Sequence, residues 1–201
     1  MAVYRSVLMG ILGILVATAC ASSSPPQPIS GLSSPSTAAS SAPSAATSPA
    51  PVASEPPVSS LPAFQCADQS GNGTGGAITP VSAVRVGAQQ GFDRFVLQFT
   101  SAIPSYTVTR QASSTFVNSP RGDQVQLAGS AGVLVTVRPI DWTSYSGTKQ
   151  LTPGYTYLKE ARQVQNFESV QQWGLGIQGT PCVRVFTLTS PMRLVVDVQA
   201  S

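Results

Sequence analysis

The stretch Phe92-Asp93-Arg94-Phe95-Val96-Leu97-Gln98-Phe99 alternates between two kinds of side chain along most of its length. This period of two is typical of a β-strand that turns one face toward a core. One face carries three large apolar side chains: Phe95, Leu97 and Phe99. A second alternating run occupies residues 84–88, and Gln90-Gly91 between the runs favours a tight turn because glycine tolerates positive φ. The two runs therefore predict a β-hairpin.

Short runs of the same character continue to the end of the chain, with frequent turn residues between them. Residues 158–167 fit either a short helix or an exposed strand, and we favour the strand. About eight short strands without a clear helical pattern predict an all-β fold, either a single antiparallel β-sandwich or a flattened barrel. The further runs are residues 106–109, 133–137, 173–177, 182–188 and 192–198, with a brief pairing expected near Val125 and Leu127.

One of these runs has an unusual composition. Trp173 alternates with Leu175 and Ile177, so we expect its ring in the core. Gly174 and Gly176 then form a flat strip on the opposite face, where another backbone could approach closely.

The first twenty residues have the pattern of an export signal. Arg5 provides a positive charge, residues 7–16 are apolar, and small residues lead to Cys20. The segment Val16-Ala17-Thr18-Ala19-Cys20 resembles the lipobox of bacterial lipoproteins. The resemblance implies cleavage after residue 19, a diacylglycerol on Cys20, and an exported chain held at the cell membrane and facing the cell wall or periplasm. An ordinary signal peptide cut at the same bond and an uncleaved anchor, which would be short for a span, remain the alternatives.

Residues 20–62 consist almost entirely of Ser, Pro, Ala and Thr after Cys20, and Glu55 carries their only charge. Such a segment buries too little apolar surface to offset the entropy of ordering, so we expect a disordered linker. Its stretched length is about 130 Å at about 3 Å per residue. The domain organisation is therefore a signal over residues 1–19, the linker over 20–62 and one folded domain over 63–201.

The composition excludes several classes of function. The chain has no histidine, which removes Ser-His-Asp and Cys-His catalysis and histidine-bound zinc. Its eight acidic residues are dispersed, so they predict no metal site and no catalytic carboxylate pair. The net charge is only +3, and the arginines are spread singly, which argues against a nucleic-acid partner. We therefore expect no enzyme, no catalytic residue and no cofactor.

Three cysteines are present, and the lipid would take Cys20. Cys66 opens the folded part and Cys182 opens a late strand. In an oxidising exterior such a pair favours a disulfide, and two unrelated thiols are the alternative.

Two groups of residues are candidates for ligand binding. The loop over residues 141–157 carries Trp142, Tyr145 and Tyr155, whose rings can stack on sugars. The more frequent alternative is that such rings cover one end of the sandwich. On the strands, Arg94 and Arg193 share predicted outward positions with Asp197, and these groups would form surface ion pairs or a polar binding face.

Four motifs together resemble the AMIN-like domain of bacterial secreted lipoproteins over about residues 77–200. They are Val84-Arg85-Val86-Gly87, the Gly91–Phe99 stretch, Trp173-Gly174-Leu175-Gly176 and Arg193-Leu194-Val195-Val196-Asp197-Val198. The resemblance implies a β-sandwich module of the cell envelope, of the kind that binds peptidoglycan in cell-wall amidases, although no amidase domain is present here.

The resulting hypothesis is a membrane-anchored envelope lipoprotein whose non-catalytic domain binds peptidoglycan or a cell-wall protein. The alternative is a carrier that holds a lipid or another apolar ligand between its sheets. A carrier would need a large apolar cavity, whereas a wall-binding module would have a filled core.

Overall fold

The computed structural model describes residues 60–201. The expected signal, the lipid site at Cys20 and nearly all of the linker lie outside these residues. In the described part there are thirteen strands: β1 (Gln69–Gly71), β2 (Thr79–Gln89), β3 (Phe92–Phe99), β4 (Ser105–Gln111), β5 (Thr115–Asn118), β6 (Asp123–Gln126), β7 (Ala131–Arg138), β8 (Ile140–Asp141), β9 (Gln150–Leu151), β10 (Leu158–Phe167), β11 (Val170–Ile177), β12 (Pro181–Thr189) and β13 (Met192–Ala200). Residues 60–201 contain no helix that is long and apolar enough to cross a membrane.

Two sheets form the domain. One has six strands in the order β1-β4-β7-β11-β10-β9, and the other has five in the order β12-β13-β3-β2-β8. All pairings in these sheets are antiparallel except the short β2–β8 pair. Buried side chains of both sheets form one hydrophobic core, so the predicted antiparallel sandwich is confirmed.

The number of strands differs from the expected eight, and the difference has a simple cause. Eight strands have seven or more residues: β2, β3, β4, β7, β10, β11, β12 and β13. The other five have two to four residues, which is too short for a period of two to be visible in the sequence. The strand favoured over residues 158–167 is confirmed as β10.

The predicted hairpin lies at the centre of the five-stranded sheet. The turn between β2 and β3 contains Gly91 at φ 85°, a conformation that glycine adopts without steric cost. Phe95 and Leu97 point into the core, where Phe95 and Trp173 lie with ring centroids 5.7 Å apart. Trp173 is fully buried, as expected, and its indole N–H donates to Oε1 of Gln171 at 3.1 Å. Both rings belong to the core that the two sheets share.

The glycine strip on the six-stranded sheet is covered by a third element. Strands β5 and β6 form a separate hairpin, and the ring of Phe116 packs on Gly132 and Gly174. A Cβ atom at Gly174 would lie 2.9 Å from this ring, so any larger residue would displace it. At Gly176 a Cβ atom would clash with the backbone carbonyl of Ala128, so the close backbone approach predicted for the flat strip is confirmed.

The segment that leads into the domain is fixed to the edge of the five-stranded sheet. Cys66 and Cys182 form a disulfide, as predicted. Gln65 exchanges two backbone hydrogen bonds with Val183, both at 2.8 Å. The chain therefore enters the domain along β12, and Phe64 is placed over the outer face of this sheet.

Candidate functional site

Arg94 and Asp197 lie opposite each other on the outer face of the five-stranded sheet, as predicted, but the expected exposure to solvent is wrong. Both side chains are buried, and Asp197 has no exposed surface. Arg94 donates from Nε to Oδ1 of Asp197 at 2.6 Å and from Nη2 to Oδ2 at 3.0 Å. Arg184 on β12 donates from Nε to Oδ2 of the same carboxylate at 2.9 Å. We call Arg94, Asp197 and Arg184 the arginine cluster.

Aromatic rings cover the arginine cluster and explain its burial. The guanidinium carbon of Arg184 lies 4.5 Å from the ring centroid of Phe64 and 4.7 Å from that of Phe92. The guanidinium carbon of Arg94 lies 5.4 Å from the ring centroid of Phe186. These distances are within the range of cation–π contacts. Alternation placed Arg94 on the outer face correctly, but this outer face is covered by rings and is not open to solvent.

Arg193 occupies the same face of β13, four residues before Asp197, and is half-buried. It lies opposite Gln98 on β3 and Leu188 on β12. Within residues 60–201 its buried Nε has no hydrogen-bond partner. The structure does not bring Arg193 together with the aromatic residues of the 141–157 loop.

The aromatic residues of the 141–157 loop do not form one surface. Tyr145 is only 8% exposed, and its ring meets the edge of Trp173 at a centroid distance of 6.3 Å. Its hydroxyl donates to the carbonyl of Thr148 at 2.8 Å, and burial raises its pKa. Tyr155 is half-buried and donates its backbone N–H to the carbonyl of Leu158 at 3.0 Å. Tyr145 thus covers one end of the sandwich, as the alternative reading of this loop anticipated.

Of the three aromatic candidates in the loop, Trp142 is the one whose side chain is exposed to solvent. Its side chain is 39% exposed, that of Phe167 is 37% exposed, and their ring centroids lie 5.9 Å apart. The carbonyl of Trp142 accepts a hydrogen bond from Nδ2 of Asn166 at 2.6 Å, which connects the loop to the end of β10. We call Trp142 and Phe167 the aromatic pair.

The loop that carries Trp142 is ordered by the preceding carboxylate. Asp141 accepts hydrogen bonds from the hydroxyl of Ser144 and from the hydroxyl and backbone N–H of Thr143, the last two at 2.7 and 3.0 Å. These bonds, led by that of Ser144, lower the pKa of Asp141 from 3.8 to about 2. The carboxylate is therefore ionised at neutral pH and holds the first turn of the loop.

A groove of about 640 Å³ lies next to Phe167 along the chain. It is formed by the ends of β1, β4 and β7 and by the turn between β10 and β11, and we call it the turn groove. Its charged groups are Arg138 and Glu168, both exposed. The remaining walls carry hydroxyl groups from six residues: Ser70, Ser105, Tyr106, Thr107, Thr136 and Ser169.

The turn that supplies Glu168 is strained. Glu168 and Ser169 have φ values of 49° and 59°, in the left-handed region that favours glycine and asparagine. Two-residue hairpin turns of this kind usually contain Asn-Gly or Asp-Gly. Each ordinary residue there costs about 1 kcal/mol or more. The carbonyl of Ser169 accepts a hydrogen bond from the backbone N–H of Ile140 at 2.9 Å, which fixes the turn against β8.

The sequence alone did not predict the turn groove. Its walls come from four separate parts of the chain, which come together only because β1 pairs with β4, β4 with β7 and β7 with β11. One signal was available, because the hairpin Phe167-Glu168-Ser169-Val170 lacks the usual glycine or asparagine. Across the described residues 60–201, no three of His, Cys, Asp and Glu come together as potential metal ligands.

Comparison with known proteins gives one clear result. Residues 79–200 match the family model of the AMIN-like domain, which covers most of the chain. No curated protein matches the sequence.

Proposed function

This chain belongs to the AMIN-like domain family, and on that premise we propose that its domain binds peptidoglycan through the turn groove and the aromatic pair. Family membership identifies a module of the cell envelope. In this proposal the domain performs no catalysis, and its role is to hold the chain at the cell wall.

The observation that carries the proposal is that exposed Phe167 of the aromatic pair directly precedes Glu168, which lines a groove rich in hydroxyl groups. Exposed rings offer flat apolar faces for sugars, while hydroxyl groups exchange hydrogen bonds with polar ligands. Phe167 belongs to the aromatic pair and directly precedes Glu168 of the turn groove, so the two surfaces are continuous along the chain. Hydroxyl-lined grooves with an adjacent aromatic surface suit a ligand that contains both sugars and short peptides.

We further propose that a lipid on Cys20 anchors the chain in the cell membrane and that residues 21–62 span the distance to the wall. Cys66 fixes the end of this segment to β12, so a pull from the membrane would reach the sheet through the disulfide. The test is the intact mass of protein extracted from membranes. The account predicts a chain that begins at Cys20 and carries acyl groups, and a mature mass without acyl groups would contradict it.

Peptidoglycan binding is tested by removing the aromatic pair. We expect Trp142→Ala with Phe167→Ala to reduce co-sedimentation of the full chain with purified peptidoglycan about tenfold, because two stacking faces are lost. The matched control is Ile78→Ala with Val117→Ala, which also removes two exposed apolar side chains, at 61% and 57% exposure. The control should bind as the unmodified chain does. Equal binding by both double variants would contradict the proposed surface.

A further inference from the structure

We infer that the turn groove recognises the peptide part of peptidoglycan, with Glu168 taking a free ammonium group and Arg138 taking a carboxylate. This inference rests on the proposed function and names the ligand class of the same site. Stem peptides of peptidoglycan carry free amino and carboxyl groups, whereas the sugars of the glycan strand carry no free amino group, and their lactyl carboxyl groups are free only where no peptide is attached.

The turn groove carries one positive and one negative side chain. Arg138 and Glu168 both line it, and within residues 60–201 neither side chain forms an ion pair or a side-chain hydrogen bond. Opposite charges in one groove that are not joined to each other are both available to a ligand. A zwitterionic ligand complements them, because its ammonium group fits the carboxylate and its carboxylate fits the guanidinium fork.

The turn between β10 and β11 is strained where it lines the groove. Left-handed φ values at Glu168 and Ser169 make this an unfavourable place for residues with side chains, and Asn-Gly would adopt the same turn more easily. Strained residues persist where the surroundings hold them and are concentrated at ligand sites. Here the turn directs both residues to the lining of the groove, so the strain is found where the proposed ammonium site lies.

The hydroxyl groups of the groove suit the neutral peptide groups of the ligand. Peptide groups need both donors and acceptors, and hydroxyl groups provide both. Ser105 donates to the carbonyl of Asn72 at 3.2 Å, and the hydroxyl of Thr136 accepts from Gln172 at 3.1 Å, so these two are held in place. The groove therefore presents fixed hydroxyl groups along its walls in addition to one positive and one negative charge.

The test uses the full chain with Cys20→Ser and three soluble probes: stem peptide with a free amino group, the same peptide N-acetylated, and glycan strands stripped of peptide. Isothermal titration calorimetry measures the affinity of each. We expect the free peptide to bind at least about tenfold more tightly than the acetylated peptide, because acetylation removes the ammonium charge. Stripped glycan should bind more weakly than the free peptide.

Two variants test whether Glu168 binds the ammonium group and whether Arg138 binds the carboxylate. Glu168→Gln should lower the affinity for the free peptide about tenfold and should leave the affinity for the acetylated peptide unchanged. With the C-terminal amide of the free peptide as a fourth probe, the unmodified chain should bind the carboxylate form more tightly than the amide, and Arg138→Gln should remove this difference. The charge-matched controls are Asp123→Asn and Arg121→Gln, which are exposed and do not line the groove.

Equal binding of free and acetylated peptide, or equal loss of both in Glu168→Gln, would overturn the inference. If the full chain binds whole peptidoglycan but ignores acetylation, the inference fails while the proposed function remains. If it does not bind whole peptidoglycan at all, both fail.

Discussion

The arginine cluster and the turn groove both bring arginine and carboxylate side chains together, but only the cluster joins them. In the cluster, the carboxylate of Asp197 accepts hydrogen bonds from Arg94 and Arg184 and is completely buried. In the groove, Arg138 and Glu168 are exposed. The same chemical groups therefore serve the fold in one place and are open to a ligand in the other.

The difference shows that charge on a strand does not by itself indicate a binding face. The cluster lies on the outer face of the five-stranded sheet, where binding would be expected, yet Phe64, Phe92 and Phe186 enclose its guanidinium groups. The groove lies at strand ends and on a turn, where side chains are held by the sheets but are not covered by them. Loops and turns on a rigid sheet are the usual position of binding residues.

The largest expected effect concerns the cluster. Asp197→Asn should lower the free energy of unfolding by about 3 to 5 kcal/mol, because it removes the carboxylate charge with which both buried guanidinium groups are paired. Urea denaturation measures this loss, and the exposed Asp123→Asn is the control, with an expected change within about 0.5 kcal/mol. A loss as small as that of the control would show that the cluster does not stabilise the fold.

A smaller loss of stability is expected when the disulfide that attaches the segment before β1 to β12 is removed. Cys66→Ala with Cys182→Ala should cost about 2 to 4 kcal/mol, because the disulfide constrains a long loop of the unfolded chain. It also holds Phe64 over Arg184, so the double variant should weaken the cover of the cluster. Denaturation of the unmodified chain with and without a reducing agent should give the same difference. An unchanged midpoint would mean that the backbone pairing of Gln65 with Val183 suffices.

Much of the fold was predictable because the long strands alternate over seven or more residues. The β2–β3 hairpin, the strand β10 and the buried Trp173 all follow from period-two patterns. The close approach to the glycine strip was also predictable, since Gly174 has no side chain to keep a neighbour such as Phe116 away. Short strands such as β1 and β8 were not predictable, because their existence depends on partners that are distant in the sequence.

The site was less predictable, and two residues of one loop show why. Trp142 and Tyr145 are three residues apart, yet one is open to solvent and the other packs against Trp173. An irregular loop has no period that assigns its side chains to a face. The burial of the arginine cluster was equally hidden, because Phe64, whose ring lies over Arg184, reaches the sheet from outside the strand pattern.

The central claim is that the β10–β11 turn keeps an unfavourable sequence because it binds a ligand. Glu168→Asn with Ser169→Gly tests it most directly, through thermal unfolding and co-sedimentation with peptidoglycan on the same sample. We predict a gain of about 1 to 2 kcal/mol in stability, from relief of the left-handed strain, together with about tenfold weaker binding. Ser169→Gly alone should gain part of the stability and keep most of the binding. A stabilised double variant that binds as well as the unmodified chain would contradict the account.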